Sequence, residues 1–431
     1  MLKFIWLRNR AGFPWKLTSS GAYIWNHLPN EFVMTKKHHL AMNIRKYVKT
    51  QGAKLSERMR EVHPETFVLE NDDERLLFFE AIKESEKKRK ALQRQGEQSG
   101  KQALLDNTTL WIIKPVDSSG GNGIGVVDSF QEFAEQYLCE EPAYVPRAAI
   151  MRAQSVSAGD DASPSSSISA SDPAKTSETA SKATIPADYD VKMGSSAGKA
   201  PESPDEALAN PAAMNLCRSL IAQRYIASPL LLNGHKFDIR AYMYVADVGP
   251  PLVFYHDGYL RVNIEPYDTD HLDNKWSHIS NIGLQKAHPE YEQKKVETKW
   301  SFKTWQKHML DKGLTQDPDW ITNVIKPQLR SIMEVAYRSV LPQFKEHAGH
   351  GCFALLGVDF LIDSNHRAWL LEYTKTPAGH STLESDDTLF ADMMDELIAM
   401  QLELHNQKRV HGEAYPPDFT LEPQKDFVRI V

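Results

Sequence analysis

The stretch GVDFLIDSNHRAWLLEYTKTP, Gly357 to Pro377, constrains the fold more than any other. Apolar residues on either side, from Phe353 to Ile362 and from Trp369 to Leu371, flank Asp363-Ser364-Asn365-His366. Asn tolerates positive φ, and Asp and Ser bond their own backbone, so the stretch reads as a β-hairpin. With Asn365 and His366 as a two-residue loop, pairing outward sets Asp359 opposite Glu372. Directly opposed side chains lie roughly 4.5–5.5 Å apart, and like charges repel there. Two acids in an apolar hairpin therefore either point at solvent or share a cation. Oxygen-only ligands suit Mg²⁺, which substrate phosphates and waters usually complete.

A second stretch bears on that choice. HKFDIRAYMYV alternates strictly. Phe237, Ile239, Ala241, Met243 and Val245 point one way; Lys236, Asp238, Arg240, Tyr242 and Tyr244 point the other. The neighbouring LVFYHD and GYLRV segments are largely apolar, so the sheet is expected to be covered. A charged row on a covered sheet lines a polar cleft better than it makes a solvent face. Arg261 follows at the next strand, and His278-Ile279-Ser280-Asn281 then supplies short polar groups on a loop. His278 has no second His at ligand spacing, so a structural role is expected for it.

Leu110 to Val127 reads as two short strands around a glycine loop. Gly120, Gly121 and Gly123 can take positive φ and let backbone N–H groups approach a phosphate. Lys114 ends the first strand within reach of the same phosphates. The loop is neither a Walker loop nor a dinucleotide fingerprint, because no GKS or GKT follows and no helix opens on it. Helices are expected over Asn71–Arg94, with acids in the first turn and Lys87-Lys88-Arg89-Lys90 near the end, and over Phe130–Leu138, with Ser129 and Glu132 as a capping box. Trp320–Phe344 and residues 385–405 complete the set. The last carries a stripe of Leu389, Met393, Leu397, Met400 and Leu404.

Composition narrows the class. With 431 residues, 41% of them hydrophobic, the chain can bury a sizeable core. No apolar run approaches the ~20 residues of a bilayer span. A net charge of −7 argues against a general nucleic-acid binder. Three scattered cysteines, Cys139, Cys217 and Cys352, fit a reducing compartment. The basic first seventeen residues are too poor in serine for a typical transit peptide. Residues 155–213 are rich in Ser, Ala, Asp and Pro and are expected to form a disordered insertion.

Taken in order, Lys-Pro with a glycine loop, QRYI, KFDIR preceded by PLLL, LR, HISN, and VDF with LLE resemble the tubulin–tyrosine ligase and ligase-like family. NHLPN, TKK and NIRKY near the start, and DDER before a Phe pair, resemble it too. The resemblance implies an α+β, ATP-grasp fold, with antiparallel sheets flanked by helices and a small, truncated N-terminal region. The expected division is an extension over 1–25, a first ATP-grasp region over 26–105, a glycine-loop subdomain over 106–154, the insertion over 155–213 and a catalytic domain over 214–431.

It implies an ATP- and Mg²⁺-dependent ligase that joins a free amino acid to the acidic C-terminal tail of tubulin through an acyl phosphate. Tyrosine is the first expectation, because the chain stops at Val431 without the long basic extension that many polyglutamylating members carry. The competing expectations are a polyglutamylase-type ligase and a non-catalytic tubulin-binding member. A cytoplasmic, cytoskeleton-associated monomer is implied, with no nucleic-acid or membrane partner.

Residue by residue, the resemblance assigns Lys114 to the ATP phosphates under Gly121 and Gly123. It assigns Gln223, Arg224, Tyr225 and Ile226 to the adenine side. Lys236 and Asp238 fall to the phosphate and ribose side, and Ser280 and Asn281, matching the family's HLTN, to phosphate. Arg240 and Arg261 would hold the substrate carboxylate or acyl phosphate and act with Lys114 in catalysis. Lys37 matches a further nucleotide lysine. Asp359 and Glu372 match metal ligands, with Thr374 where the family carries Asn. Ser118 and Asn122 stand where the glycine loop usually has basic residues.

Overall fold

The computed structural model describes residues 3–7, 23–51, 62–96, 109–118, 120–139, 200–345, 351–375, 377, 387–411 and 419–431. Two short N-terminal strands, β1 (Lys3–Ile5) and β2 (Tyr23–Trp25), pair in parallel. Trp25 also bridges Cys352, so this region is docked on the body of the protein. Helices α1 (Phe32–Thr35) and α2 (Lys37–Thr50) follow.

Next come β3 (Thr66–Val68), α3 (Asp72–Gly96), β4 (Trp111–Pro115), β5 (Gly125–Val127) and α4 (Phe130–Tyr137). The Asn71 side chain accepts from Glu74 N–H at the start of α3, and Ser129 accepts from Glu132 N–H at the start of α4. Of the expected insertion, residues 155–199 lie outside the described residues. Its end departs from the expectation of disorder. Helices α5 (Pro204–Ala209) and α6 (Pro211–Cys217) are each capped, by Ser203 and Asn210, with Pro at the start. Ala207 and Ala213 are fully buried. Richness in Ser, Ala, Asp and Pro does not prevent packing here, because alanine is small enough to fill that space.

With β6 (Leu220–Arg224), these strands form a four-stranded antiparallel sheet of order β3-β6-β4-β5. Its core gathers Phe78, Trp111, Phe133 and their neighbours.

The larger sheet has seven strands. Strand β7 (Leu231–Leu232) pairs with β8 (His235–Val248), and β8 lies between β9 (Pro251–Val262) and β11 (Ala354–Ile362). Short helices α7 (Lys275–His278), α8 (Ile282–Gln285) and α9 (Tyr291–Lys294) lead to β10 (Lys299–Ser301), which pairs with β9. Helices α10 (Phe302–Asp311) and α11 (Lys326–Lys345) precede β11, with a π-turn at Ile321–Ile325 before α11. Strand β12 (Ala368–Lys375) forms one edge, and α12 (Asp387–His411) and β13 (Val428–Arg429) close the chain. All the pairings in this sheet are antiparallel.

The alternation expected for β8 holds. Phe237, Ile239, Ala241, Met243 and Val245 join the main core with residues of α1, α2, α10 and α11. Tyr242 and Tyr244 face the other way and pack on Met393, Leu397, Met400 and Leu404 of α12. The sheet is therefore covered on both faces, and the charged end of β8 opens into a cleft of about 650 Å³ shared with the smaller sheet.

Candidate functional site: a cleft between two sheets

The hairpin brings Asp359 opposite Glu372, by a route other than a two-residue loop. Ile362 pairs with Ala368, so the loop is Asp363–Arg367. His366, and not Asn365, takes positive φ, at 62°. The Asp363 carboxylate accepts from Asn365 N–H, Arg367 N–H and Trp369 Nε1–H, which holds the longer loop closed. The register then shifts between Asp359 and Phe360, leaving Leu371 as the extra residue of a bulge. That bulge restores the pairing of the two acids.

Neither acid waits unneutralised. Asp359 accepts from Arg240 Nε at 2.5 Å and Arg240 Nη2 at 3.1 Å, and Arg261 Nη2 lies 2.8 Å away. Arg261 is in turn held bidentately by Asp238, at 2.6 and 2.5 Å. All four are buried. Burial pushes the Asp359 carboxyl up, but the two guanidiniums override it and hold it well below the usual carboxylate range. Glu372 lies 3.4 Å from Lys37 Nζ. The chain's own cations thus meet part of the demand that the two acids were expected to place on a metal.

Glu372 and Thr374 remain half-buried on the cleft wall. With Asp359 they offer oxygen donors alone on adjacent strands, a donor set that fits a hard divalent cation such as Mg²⁺.

Lys114 and Lys236 stand on opposite sheets and both line the cleft. Lys114 Nζ donates to Gln223 Oε1 at 2.6 Å, and Gln223 Nε2 is fixed by Thr66. Lys236 Nζ donates to the Tyr225 hydroxyl at 2.9 Å and the His278 carbonyl at 2.8 Å. Burial lowers Lys114 to about 8, with Glu372 opposing. Burial lowers Lys236 to about 7, with Asp238 opposing and Lys114 adding to the fall. Lys37 adds to the fall at Lys114, and buried ammonium groups set among like charges make a site for an anion.

Gly121 takes φ of 82° and packs against Ile279 and Asn281, so the glycine loop closes onto the 278–284 segment. Lys36 pairs with Asp117, and Lys37 Nζ donates to the Ser118 carbonyl at 3.1 Å; both tie that loop to the start of α2.

The remaining expected residues, Gly123 apart, line the same cleft, and several also make contacts outside it. Gly123 lies off the cleft wall, where its carbonyl accepts from the Tyr137 hydroxyl. The Arg224 side chain pairs with Glu65, bonds Ser85 and stacks 3.7 Å from the Trp111 ring centroid. Asn281 accepts from Gly283 N–H as a helix cap, which commits its amide oxygen. Ile226 packs with Leu361 and Trp369. Ser280 borders the cleft.

A model of the tubulin-tyrosine ligase family matches residues 16–410. The chain belongs to that family. Its α+β architecture is the ATP-grasp type that the family carries. The chain is 28% identical over 421 residues to the protein polyglycylase TTLL10 of Rattus norvegicus, covering 95% of this chain and 48% of the relative. It is 32% identical over 213 residues to the inactive polyglycylase TTLL10 of Homo sapiens, 48% of this chain and 30% of the relative. It is 30% identical over 191 residues to the tubulin monoglutamylase TTLL4 of Mus musculus, 42% of this chain and 16% of the relative. The chain thus spans about half, or less, of the relatives it matches.

Within this tubulin-tyrosine ligase family member, two glycines escaped the sequence reading. A Cβ on Gly357 would meet Arg240 Cδ, Nε and Cζ at 3.1 Å, and one on Gly258 would lie 1.8 Å from the Arg240 carbonyl oxygen. Both make room for Arg240. Glycine inside a strand is itself a signal of close approach, and it was present in GVDF and HDGY.

Proposed function

We propose that this chain is an ATP- and Mg²⁺-dependent ligase that forms an amide bond between a free amino acid and a carboxylate of the acidic tubulin tail. The observation that carries the reading is the cleft itself. Two buried lysines from two sheets face three oxygen donors, and a pair of arginines lies alongside. In the proposed reaction a carboxylate oxygen attacks the γ-phosphorus of ATP and ADP departs. The amine then attacks the acyl carbon, phosphate departs, and the amine loses a proton. Phosphoryl transfer of this kind depends on positioning and charge more than on a protein nucleophile.

Lys114 and Lys236 would hold phosphate oxygens. Asp359, Glu372 and Thr374 would hold Mg²⁺, which when bound would neutralise phosphate charge. Among the described residues Arg240 has a single carboxylate partner, Asp359, whereas Arg261 is also clamped by Asp238. Arg240 is therefore the guanidinium freer to turn toward an incoming carboxylate, which it can grip bidentately. The backbone of Gln223 to Ile226 would border the adenine.

Tyrosine was the first expectation for the added amino acid. Two relatives aligned over 95% of the chain are polyglycylases by name, so glycine takes its place, with glutamate and tyrosine as competitors. Incubation of the purified chain with tubulin, Mg·ATP and labelled glycine, glutamate or tyrosine tests this. Incorporation of glycine alone is the expected result; label from glutamate or tyrosine alone reassigns the donor, and none removes the ligase reading. A non-catalytic role is the second reading. It rests on Thr374, on Ser118 and Asn122 in the glycine loop, and on the human relative, which is named an inactive polyglycylase.

A further inference from the structure

The segment after β9 brings a histidine under the cleft, and its hydrogen bonds run in one direction. His278 Nε2 lies 3.1 Å from the His271 carbonyl, which can only accept. That contact puts the imidazole proton on Nε2 and leaves Nδ1 as an acceptor. The Tyr225 hydroxyl, 2.8 Å from Nδ1, must then donate to it. Its oxygen is left to accept from Lys236 Nζ at 2.9 Å. The backbone carbonyl of His278 takes a second N–H of the same ammonium. Tyr225, Lys236 and His278 are all buried. Tyr225 and Tyr267 both meet the imidazole edge-on, with ring centroids 5.8 and 5.6 Å away. Burial, helped by the charge on Lys236, lowers His278 to about 4, so the ring stays neutral and keeps its lone pair.

Two of the three ammonium N–H groups of Lys236 are thus spent on neutral acceptors. Among the described residues no carboxylate forms an ion pair with it, so its charge is left for a ligand. We propose that His278 is a positioning residue for the nucleotide: through the Tyr225 hydroxyl and its own carbonyl it aims the Lys236 ammonium at a phosphate. The role rests on the ATP-dependent reading above and goes beyond it, because it assigns His278 an effect exerted through Lys236.

The test is the affinity of the full chain for Mg·ATP and for adenosine, measured by titration calorimetry. Loss of a charge-assisted hydrogen bond is worth about tenfold in affinity. Tyr225→Phe and His278→Leu are each expected to weaken Mg·ATP by about that factor, and the double variant by no more than either alone. His278→Asn, which returns an acceptor near the Nδ1 position, is expected to recover most of the affinity. Adenosine, with no phosphate for Lys236, is expected to bind all of them alike. In a Lys236→Met background neither change is expected to weaken Mg·ATP further.

A Tyr225→Phe chain with wild-type affinity, a multiplied loss in the double variant, or an equal loss for adenosine overturns the assignment. Tyr225→Phe keeps the ring, so its cycle with Lys236→Met decides the matter even if His278→Leu does not fold. Wild-type chain that takes up no Mg·ATP overturns the ligase reading itself, and the positioning role with it.

Discussion

Lys114 and Lys236 carry the sharpest consequence at the scale of single residues. Their folded values, about 8 and about 7, lie below the 10.5 of a free lysine. The unfolded chain therefore binds more protons between pH 7 and 10.5, and this pair makes the ligand-free protein more stable as pH rises through that window. A triphosphate favours the charged lysines and reverses the shift. Nucleotide binding at pH 8 should thus take up protons, seen as a binding enthalpy that changes with the ionisation heat of the buffer. A heat independent of buffer would show that both lysines are already fully charged in the empty cleft.

Asp359 makes a second test. Removing one member of a buried ion-pair cluster strands the others, at a cost of about 3–5 kcal/mol. Asp359→Asn is expected to lose stability of that order in urea unfolding without nucleotide, whereas a solvent-facing acid would lose almost none. The charged row of β8 was legible because strand alternation is local. That Asp359 would be shared by two arginines was not, since it depends on three strands meeting in register.

At the scale of elements, the hairpin shows how a right pairing can rest on a wrong turn. The opposition of Asp359 and Glu372 was readable, but the five positions Asp363–Arg367 form the loop and Leu371 bulges to compensate. Two errors of one residue cancel. A bulge on one strand and a side-chain-locked loop carry little local signature beyond Asp, Ser and Asn. Helix starts were read where a cap preceded a clear apolar or charged pattern, as at Asn71 and Ser129, and missed in α5 and α6, where Ser203 and Asn210 cap short helices that pack through small alanines.

The strand glycines carry the prediction here. At Gly357→Ala the new methyl presses on the Arg240 guanidinium, a movable group, so the fold should survive. Amide formation should fall by roughly 10- to 100-fold, the scale of effect for an ångström of misplacement. At Gly258→Ala the clash is with backbone, and a loss of about 3 kcal/mol in stability is expected. Equal behaviour of the two variants in thermal melting and activity would mean that Arg240 is not what these glycines accommodate.

For the whole molecule, the decisive feature is that the cleft belongs to neither sheet alone. Lys114 and Gln223 come from the four-stranded sheet; Lys236, Arg240, Arg261, Asp359 and Glu372 come from the seven-stranded one. Individual strands were legible from their periodicity, but their assembly was not. Strand β6 enters between β3 and β4 from beyond a long segment, and no local pattern encodes that. Contacts already bridge the two sides, among them Lys36 to Asp117, Lys37 to Ser118, and Arg45 to Glu74 and the Thr66 carbonyl.

A ligand held from both sheets should therefore stabilise the molecule as one unit. At a hundred times its Kd, such a ligand adds about 2.7 kcal/mol, or about 5–10 °C in melting temperature for a domain of ordinary size. Mg·ATP is expected to produce that shift as a single sharper transition. Lys114→Ala and Lys236→Ala, one on each sheet, should each abolish most of it. A shift that survives both substitutions would place the nucleotide outside this cleft, and an unchanged wild-type melting temperature at saturating Mg·ATP would leave the second, non-catalytic reading in possession of the site.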